Sequence, residues 1–259
     1  MKITSSPPVL VLDDPNVRDY YICGDLHGMK DVLMQRLREI GFNPVLDRLI
    51  CSGDLVDRGS RSKETALLLK ELWFLSSIGN HEAMLLNALA ELRAAITHRG
   101  VTEHRKNGGY WFYSLDWDEM LEIETLLLNL PYAIEIHHRG RKYGVVHADV
   151  MGSDWNNLVD RLNGRASTLN WLTSMLIKQD VYQHTIWSRE RFNCDPRDIK
   201  PIKGVDAVFV GHNITPHPFR QENMYYLDTG CYATGKLTIV KLDEDSMNKI
   251  PAVSMLGFN

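Results

Sequence analysis

Three times in the first third of the chain, a short apolar run stops and gives way at once to a polar cluster. Tyr20-Tyr21-Ile22-Cys23 leads into Gly24-Asp25-Leu26-His27-Gly28, and Leu49-Ile50-Cys51 leads into Ser52-Gly53-Asp54-Leu55-Val56-Asp57-Arg58-Gly59. Phe74-Leu75-Ser76-Ser77-Ile78 leads into Gly79-Asn80-His81-Glu82. The apolar runs have the length of strands and end at residues that favour turns. Between them Leu33, Met34, Leu37 and Ile40 recur at helical spacing, with Gly41 as a stop. The 66–72 stretch suits a helix, and Met84, Leu85, Ala88, Leu89, Leu92 and Ile96 mark another. A β-α-β-α-β-α order predicts a parallel sheet with helices on its faces. Asp25 and Asp54 are 29 positions apart and Asp54 and Asn80 are 26 apart, each about one βαβ unit. Right-handed crossovers carry the three clusters to one edge of the sheet, where open α/β sheets hold ligands.

Two later apolar runs repeat the device with histidine. Tyr143-Gly144-Val145-Val146 ends at His147-Ala148-Asp149, and Ala207-Val208-Phe209-Val210 ends at Gly211-His212-Asn213. Tyr132–Ile136 and Lys142–Val146 read as neighbouring strands joined by Arg139-Gly140. Val205–Val210, Met224–Leu227 and Leu237–Leu242 read as further strands of a second sheet packed on the first. Five strand ends therefore offer Asp25, His27, Asp54, Asn80, His147 and His212. Carboxylate, imidazole and amide oxygen without thiolate suit Mn, Fe or Zn. Six such ligands exceed one four-coordinate ion and fit two ions sharing a carboxylate.

Composition narrows the setting. In 259 residues, 44% hydrophobic and 24% charged, there is enough apolar material for a core without disulfide staples. A net charge of −4 disfavours nucleic-acid binding through a basic surface. No apolar run reaches the roughly 20 residues of a membrane span. The first residues lack the apolar stretch of a secretory leader, and four cysteines without a CxxC suggest no disulfide framework, so a cytoplasmic location is expected.

The ordered clusters resemble the three signature motifs of the phosphoprotein phosphatase family of calcineurin-like metallophosphoesterases, in the branch that holds the bacteriophage lambda protein phosphatase and its bacterial relatives. The likeness continues through Asn107-Gly108-Gly109-Tyr110-Trp111-Phe112, His147-Ala148-Asp149, Trp187-Ser188-Arg189-Glu190-Arg191, Gly211-His212 and Tyr226-Leu227-Asp228-Thr229-Gly230, across most of residues 20–240. It implies an α/β (α+β) fold, a β-sandwich of two mixed sheets flanked by helices, forming a single domain over 1–259. It implies two divalent metal ions, Mn2+ expected and Fe or Zn the alternatives. Asp25 and His27 would bind the first, Asp54 would bridge, and Asn80, His147 and His212 would bind the second. His81 would be the general acid, oriented by Asp57, with Arg58 and Arg189 on the phosphate oxygens beside Asn80 and His81. The implied reaction is direct in-line hydrolysis of a phosphoprotein or phosphopeptide by a metal-activated hydroxide, on phosphoserine and phosphothreonine and with room for phosphotyrosine. A symmetrical dinucleoside tetraphosphate hydrolase is the alternative on the same metal core, and an inactive scaffold of the same fold is the alternative from another class. Glu82 after His81 leans to the phosphatase, because the dinucleotide hydrolases commonly carry Asp there. The expected partner is the phosphoprotein or phosphopeptide substrate, no nucleic acid and no membrane are expected, and the oligomeric state is open.

Other residues have plainer readings. His98, His104, His137, His138, His184 and His217 read as surface or structural. Cys23 and Cys51 read as small buried hydrophobes, and Cys194 and Cys231 as loop residues open to oxidation. Arg93, Arg99, Arg105 and Lys106 form a basic stretch that reads first as a solvated helix face, with a docking patch for acidic phosphoproteins as the alternative. Gly108, Gly109, Trp111 and Phe112 read as a packed corner near the site. Two features depart from the family pattern. The 150–186 segment, with Trp155, Leu158, Leu162, Trp171 and Leu172, looks longer and is expected to form a helical cap beside the cleft. Asn213 stands where Thr or Ser is commoner, with an effect expected only on the surroundings of the ligands.

Overall fold

The structure, a computed structural model, describes residues 8–94, 99–164 and 180–253. Among these the strands are β1 (Val9–Leu12), β2 (Asp19–Cys23), β3 (Asp47–Cys51), β4 (Phe74–Ser76), β5 (Ala133–His138), β6 (Arg141–Val146), β7 (Ala207–Val210), β8 (Phe219–Gln221), β9 (Met224–Tyr226) and β10 (Ile239–Lys241). The principal helices are α1 (Lys30–Glu39), α2 (Ser62–Ala66), α3 (Asn80–Ala94), α4 (Arg99–Lys106), α5 (Trp117–Leu127) and α6 (Trp155–Leu162).

The strands form two mixed sheets, as the family resemblance implies. One has the order β10-β2-β3-β4 and the other β1-β5-β6-β7-β9-β8. In the first, β2, β3 and β4 are parallel and β10 returns antiparallel to β2. In the second, β6, β7 and β9 are parallel neighbours, while β5 and β8 run antiparallel to β6 and β9. The sheets do not divide the chain into halves. N-terminal β1 pairs with β5, and C-terminal β10 joins β2.

Period-two alternation explains the layering. Tyr20, Ile22 and Ile50 face one core together with Ile134, Ile136, Tyr143, Val145, Phe209 and Tyr225 from the other sheet. The alternate residues Tyr21, Cys23, Leu49 and Cys51 face away, under Leu33 and Leu37 of α1 and Leu85 and Leu89 of α3. Val146, Val208, Val210 and Tyr226 face the opposite way, under Trp155, Leu158 and Leu162 of α6 and Val181. Each sheet is thus buried on both faces, giving a helix–sheet–sheet–helix stack that leaves the strand ends as the place for polar chemistry.

Several elements differ in detail from the sequence reading. Helix α3 opens at Asn80, so Asn80, His81 and Glu82 form its first turn and not a loop. The 66–72 helix is α2 followed by a tighter 3₁₀ turn at Leu67–Lys70, and Leu72 is exposed. Periodicity assigned nothing to 99–128, where α4 and α5 lie. Helix α4 buries only Val101 and the polar His104, so it shows no apolar stripe. Helix α5 is announced instead by a capping box, Asp116 and Glu119 each accepting the other's backbone N–H. Of the segment expected to cap the cleft, Trp155, Leu158 and Leu162 are fully buried on the outer face of the six-stranded sheet, with Trp155 Nε1 donating to Glu135 at 2.6 Å. Residues 165–179, including Trp171 and Leu172, and also His98, lie outside the described residues. Cys194 is exposed, but Cys231 is a buried core residue and not an oxidisable loop residue.

Candidate functional site

The carboxyl ends of β2, β3 and β4 in one sheet, and of β6 and β7 in the other, meet along one edge. Asp25 and His27 follow β2, Asp54, Asp57 and Arg58 follow β3, Asn80 and His81 open α3, His147 follows β6 and His212 follows β7. Asp25, His27, Asp54, Asp57, Asn80, His81, His147 and His212 are all buried, whereas Arg58 and Arg189 are exposed. Buried ionisable groups are tolerated only when paired or bound to metal. The backbone is shaped for this cluster. Positive φ angles occur at His27 (41°), Asp54 (51°), Asp57 (71°), Arg58 (67°) and His212 (63°). Non-glycine residues avoid that region, and such strain concentrates at functional sites.

Two groups of ligand atoms lie within 4.8 Å of one another: His27, Asp54 and His81, and Asp54, His147 and His212. Asp54 belongs to both, the position expected of a bridging ligand. Its Oδ2 is 3.5 Å from His27 Nε2 and its Oδ1 is 3.4 Å from His147 Nε2. Asn80 Oδ1 lies 2.9 Å from both His147 Nε2 and His212 Nδ1. Asp25 is at the same edge but outside both groups. Its carboxylate accepts the His212 backbone N–H at 3.1 Å and the Ser52 hydroxyl at 3.3 Å. An ionised carboxylate has about four lone-pair sites, so Asp25 retains capacity for a cation.

The donor set fits divalent metal. His27 Nδ1–H donates to the Val56 carbonyl and His147 Nδ1–H to the Ser52 carbonyl, which leaves both Nε2 atoms as acceptors in the neutral rings. His147 Nε2 then faces Asn80 Oδ1 and Asp54 Oδ1, acceptor against acceptor, and only a proton or a metal cation can hold such a cluster together. His212 Nε2 is buried without a hydrogen-bond partner among the described residues. The backbone leaves room for close approach. A Cβ on Gly211 would lie 1.8 Å from Asp25 Oδ1, and one on Gly79 would lie 2.2 Å from Asp54 Oδ1.

The titration behaviour follows from the same crowding. Burial, then the Asp228 and Asp54 carboxylates, push Asp25 well above the usual carboxylate range. Burial would also raise Asp54, but the His147, His81 and His27 imidazoles outweigh it and hold Asp54 well below that range. Burial lowers His27 to about 4 and His212 to about 3, which keeps both rings neutral and able to ligate. His147 goes the other way: burial opposes its charge, and Asp54 overrides burial and raises it.

Beside the candidate metal ligands sits a donor relay. His81 Nδ1 is 2.7 Å from Asp57 Oδ2, while Asp57 Oδ1 accepts from Trp111 Nε1 at 2.8 Å and from His104 Nε2 at 3.1 Å. His104 Nδ1 in turn meets the Tyr113 hydroxyl at 2.9 Å. Burial would raise Asp57, but the hydrogen bonds from His104 and His81 lower it, so it is ionised at neutral pH. His104 is structural, as its sequence reading allowed, but its structural job is to hold Asp57. Glu82, from the same turn as His81, accepts the backbone N–H groups of Asp54, Leu55 and Gly79 at 2.8–2.9 Å and so ties the β3 loop to α3.

Arg58 Nη1 donates to His27 Nε2 at 2.8 Å, and its guanidinium lies 4.7 Å from the Tyr232 ring centroid. Arg189 Nη1 donates to Asn213 Oδ1 at 2.6 Å. Asn213 therefore positions the second arginine, a more specific task than its sequence reading gave it. Arg58, Arg189, Asp54, Asn80, His81 and His212, with Asn107 and Trp187, line one cavity of about 200 Å³. Sequence reasoning assigned no role to Asn107, Trp187 or Tyr232. The first two stand inside motifs that carry the resemblance, which was their available signal.

Comparison with known proteins agrees with this geometry. The family model described as calcineurin-like phosphoesterase matches residues 20–216. Serine/threonine-protein phosphatase 2 of Salmonella typhimurium is 32% identical over 229 residues, covering 87% of this chain and 93% of the relative. A symmetrical bis(5'-nucleosyl)-tetraphosphatase of Actinobacillus succinogenes is 24% identical, covering 92% of this chain and 98% of the relative. The crystal structure of a cold-active protein-tyrosine phosphatase from a psychrophilic Shewanella superposes with a TM-score of 0.60 at 17% identity, covering 95% of this chain and 80% of that one, a likeness of fold. Motifs, two-sheet fold and buried ligand cluster agree, and the chain belongs to the calcineurin-like phosphoesterase family of metal-dependent hydrolases.

Proposed function

We propose that the protein is a metal-dependent phosphoprotein phosphatase acting on phosphoserine and phosphothreonine, with phosphotyrosine as a secondary substrate, in one catalytic domain that spans the chain. Two Mn2+ ions are the proposed cofactors, held by Asp25, His27 and Asp54 on one side and by Asp54, Asn80, His147 and His212 on the other. Bound there, divalent ions supply positive charge and lower the pKa of the water they hold. With Asn80 neutral where a third carboxylate could stand, the loaded site stays positive and attracts a phosphate dianion. Arg58 and Arg189 flank the cavity and match phosphate oxygens with planar donor pairs. Arg58 must exchange its contact with His27 Nε2 for phosphate, so it acts at the mouth and not as a fixed wall. Asp57 accepts the Nδ1–H of His81, and in the doubly protonated ring the Nε2–H would pass to the leaving oxygen, returning His81 to its neutral form.

The observation that carries this reading is the His81–Asp57 pair, buried against the acceptor cluster on a cavity edged by two arginines. A serine alkoxide is a poor leaving group and needs that proton. The 32% identity to serine/threonine phosphatases, against 24% to the dinucleotide hydrolase, supports a phosphoprotein substrate. An inactive scaffold would have no reason to keep every buried ligand and the proton donor together. Substitution His81→Asn tests the assignment. With Mn2+ present, kcat on a phosphoserine peptide should fall by about 10²–10³, and kcat on an aryl phosphate, whose leaving group hardly needs a proton, by less than about tenfold. Equal losses on the two substrates would remove His81 from the role of acid.

A further inference from the structure

The basic stretch from Arg93 to Lys106 separates, in the structure, into two kinds of residue. Arg93 is committed to an ion pair with the buried Glu124. Arg105 is stacked, its guanidinium 4.6 Å from the Tyr113 ring centroid and 5.9 Å from that of Tyr110. Arg99 and Lys106 have neither commitment among the described residues. Both are exposed on the face of α4 opposite Val101 and His104. With Thr102, Glu103 and Asn107 they line a groove of about 580 Å³. Asn107 also lines the catalytic cavity, so groove and cavity share a wall.

We propose that this face of α4 is a substrate subsite in which Arg99 and Lys106 bind acidic side chains flanking the phosphorylated residue of a protein substrate. The inference rests on the phosphatase reading and adds the substrate class. The chain is acidic overall, at −4, yet Arg58 and Arg189 line its catalytic cavity and Arg99 and Lys106 line the adjoining groove, and that local sign selects an acidic partner. Lys106 adjoins the cavity through Asn107. Arg99 lies two helical turns further, roughly 10 Å along the axis. An extended peptide rises about 3.3 Å per residue, so a chain with its phosphate in the cavity meets the two cations about three positions apart. Glu103 lies between them on the same face and repels an acid at the intervening position. The subsite therefore selects two spaced acidic residues on one side of the phosphoserine, not a continuous acidic run.

The test uses the Mn2+-loaded protein and phosphoserine peptides differing only in flank: neutral, two acids three positions apart on the N-terminal or the C-terminal side, and a continuous acidic run. The readout is the ratio of kcat/KM for each acidic peptide to that of the neutral one, taken within each variant. For the wild type at low ionic strength, one of the spaced-acid peptides should be favoured by about fivefold to tenfold, the effect of two exposed ion pairs, and the preference should fade in 0.5 M salt. R99E/K106E should abolish or invert the ratio, and R99Q/K106Q should bring it close to one. Turnover of the neutral peptide reports that each variant is folded. A wild-type ratio near one, or an unchanged ratio in both variants, overturns the subsite and leaves the phosphatase reading standing. Failure to hydrolyse any peptide while diadenosine tetraphosphate is consumed overturns both. A larger loss in R99E/K106E on diadenosine tetraphosphate than on the acidic peptide would assign the groove to a polyphosphate chain instead.

Discussion

Asp57 collects three donors, from His81, His104 and Trp111, and so cannot turn without breaking all of them. Asp57→Asn replaces an acceptor-only group by an amide and disturbs the His81 tautomer. kcat on phosphoserine peptide should fall by about a hundredfold with KM little changed, read from steady-state kinetics at saturating Mn2+. His104 shows where sequence reading stops. Nothing in the order of residues couples it to Asp57, 47 positions away, because the link is made by folding α4 back over the β3 loop. The candidate ligands were legible because each follows a strand, but the left-handed backbone at His27, Asp54 and His212 was not. If His147 and Asp25 hold metal as proposed, protons compete with it there. Both are raised in the protein, so both bind protons more readily than free side chains, whereas His27 at about 4 and His212 at about 3 stay neutral far below neutral pH. Metal affinity must therefore fall as pH falls, through His147 and Asp25 before His27 or His212. Calorimetric titration with Mn2+ in buffers of different ionisation enthalpy should record net proton release at pH 6.5. Metal uptake with no proton release would contradict this ordering.

At the scale of elements, strand–turn units such as β2, β3, β4 and β7 were readable because each is a compact apolar run followed at once by Gly or Ser. The β5–β6 hairpin was readable from Arg139-Gly140, both of which adopt positive φ, as a two-residue turn of this hand requires. Edge strands β1 and β8 are short and their patterns brief, so neither announced itself, and α4, legible only as a basic helix face, hides its buried side behind a histidine. Gly211 is the sharpest single constraint on an element boundary. Gly211→Ala drives a methyl group into Asp25 and should weaken metal binding by at least about a hundredfold, measured by Mn2+ titration. Trp155 anchors α6 to the six-stranded sheet, with its ring against Gly144 and its Nε1–H on Glu135. Trp155→Ala should cost about 3–5 kcal/mol in denaturant unfolding, from lost burial plus the cavity left behind.

Across the whole molecule, the proposed metal ligands come from both halves of the sandwich. Asp25, His27, Asp54 and Asn80 belong to the four-stranded sheet, and His147 and His212 to the six-stranded sheet. Metal bound at Asp54 would thus fasten one sheet to the other, and stability should depend on it. At a free Mn2+ concentration about a hundred times Kd, a single site adds about 2.7 kcal/mol. For a chain of this size chelation should then lower Tm by about 5–10 °C, read by calorimetry with and without chelator. Shared architecture does not choose the substrate, since protein phosphatases and dinucleotide hydrolases both match most of this chain. The most direct measurement is therefore kcat/KM of one protein preparation, stripped and reloaded with Mn2+, on a phosphoserine peptide and on diadenosine tetraphosphate side by side. A value at least tenfold higher on the peptide, lost on metal removal, is the result expected of a phosphoprotein phosphatase. A value tenfold higher on the dinucleotide would contradict it.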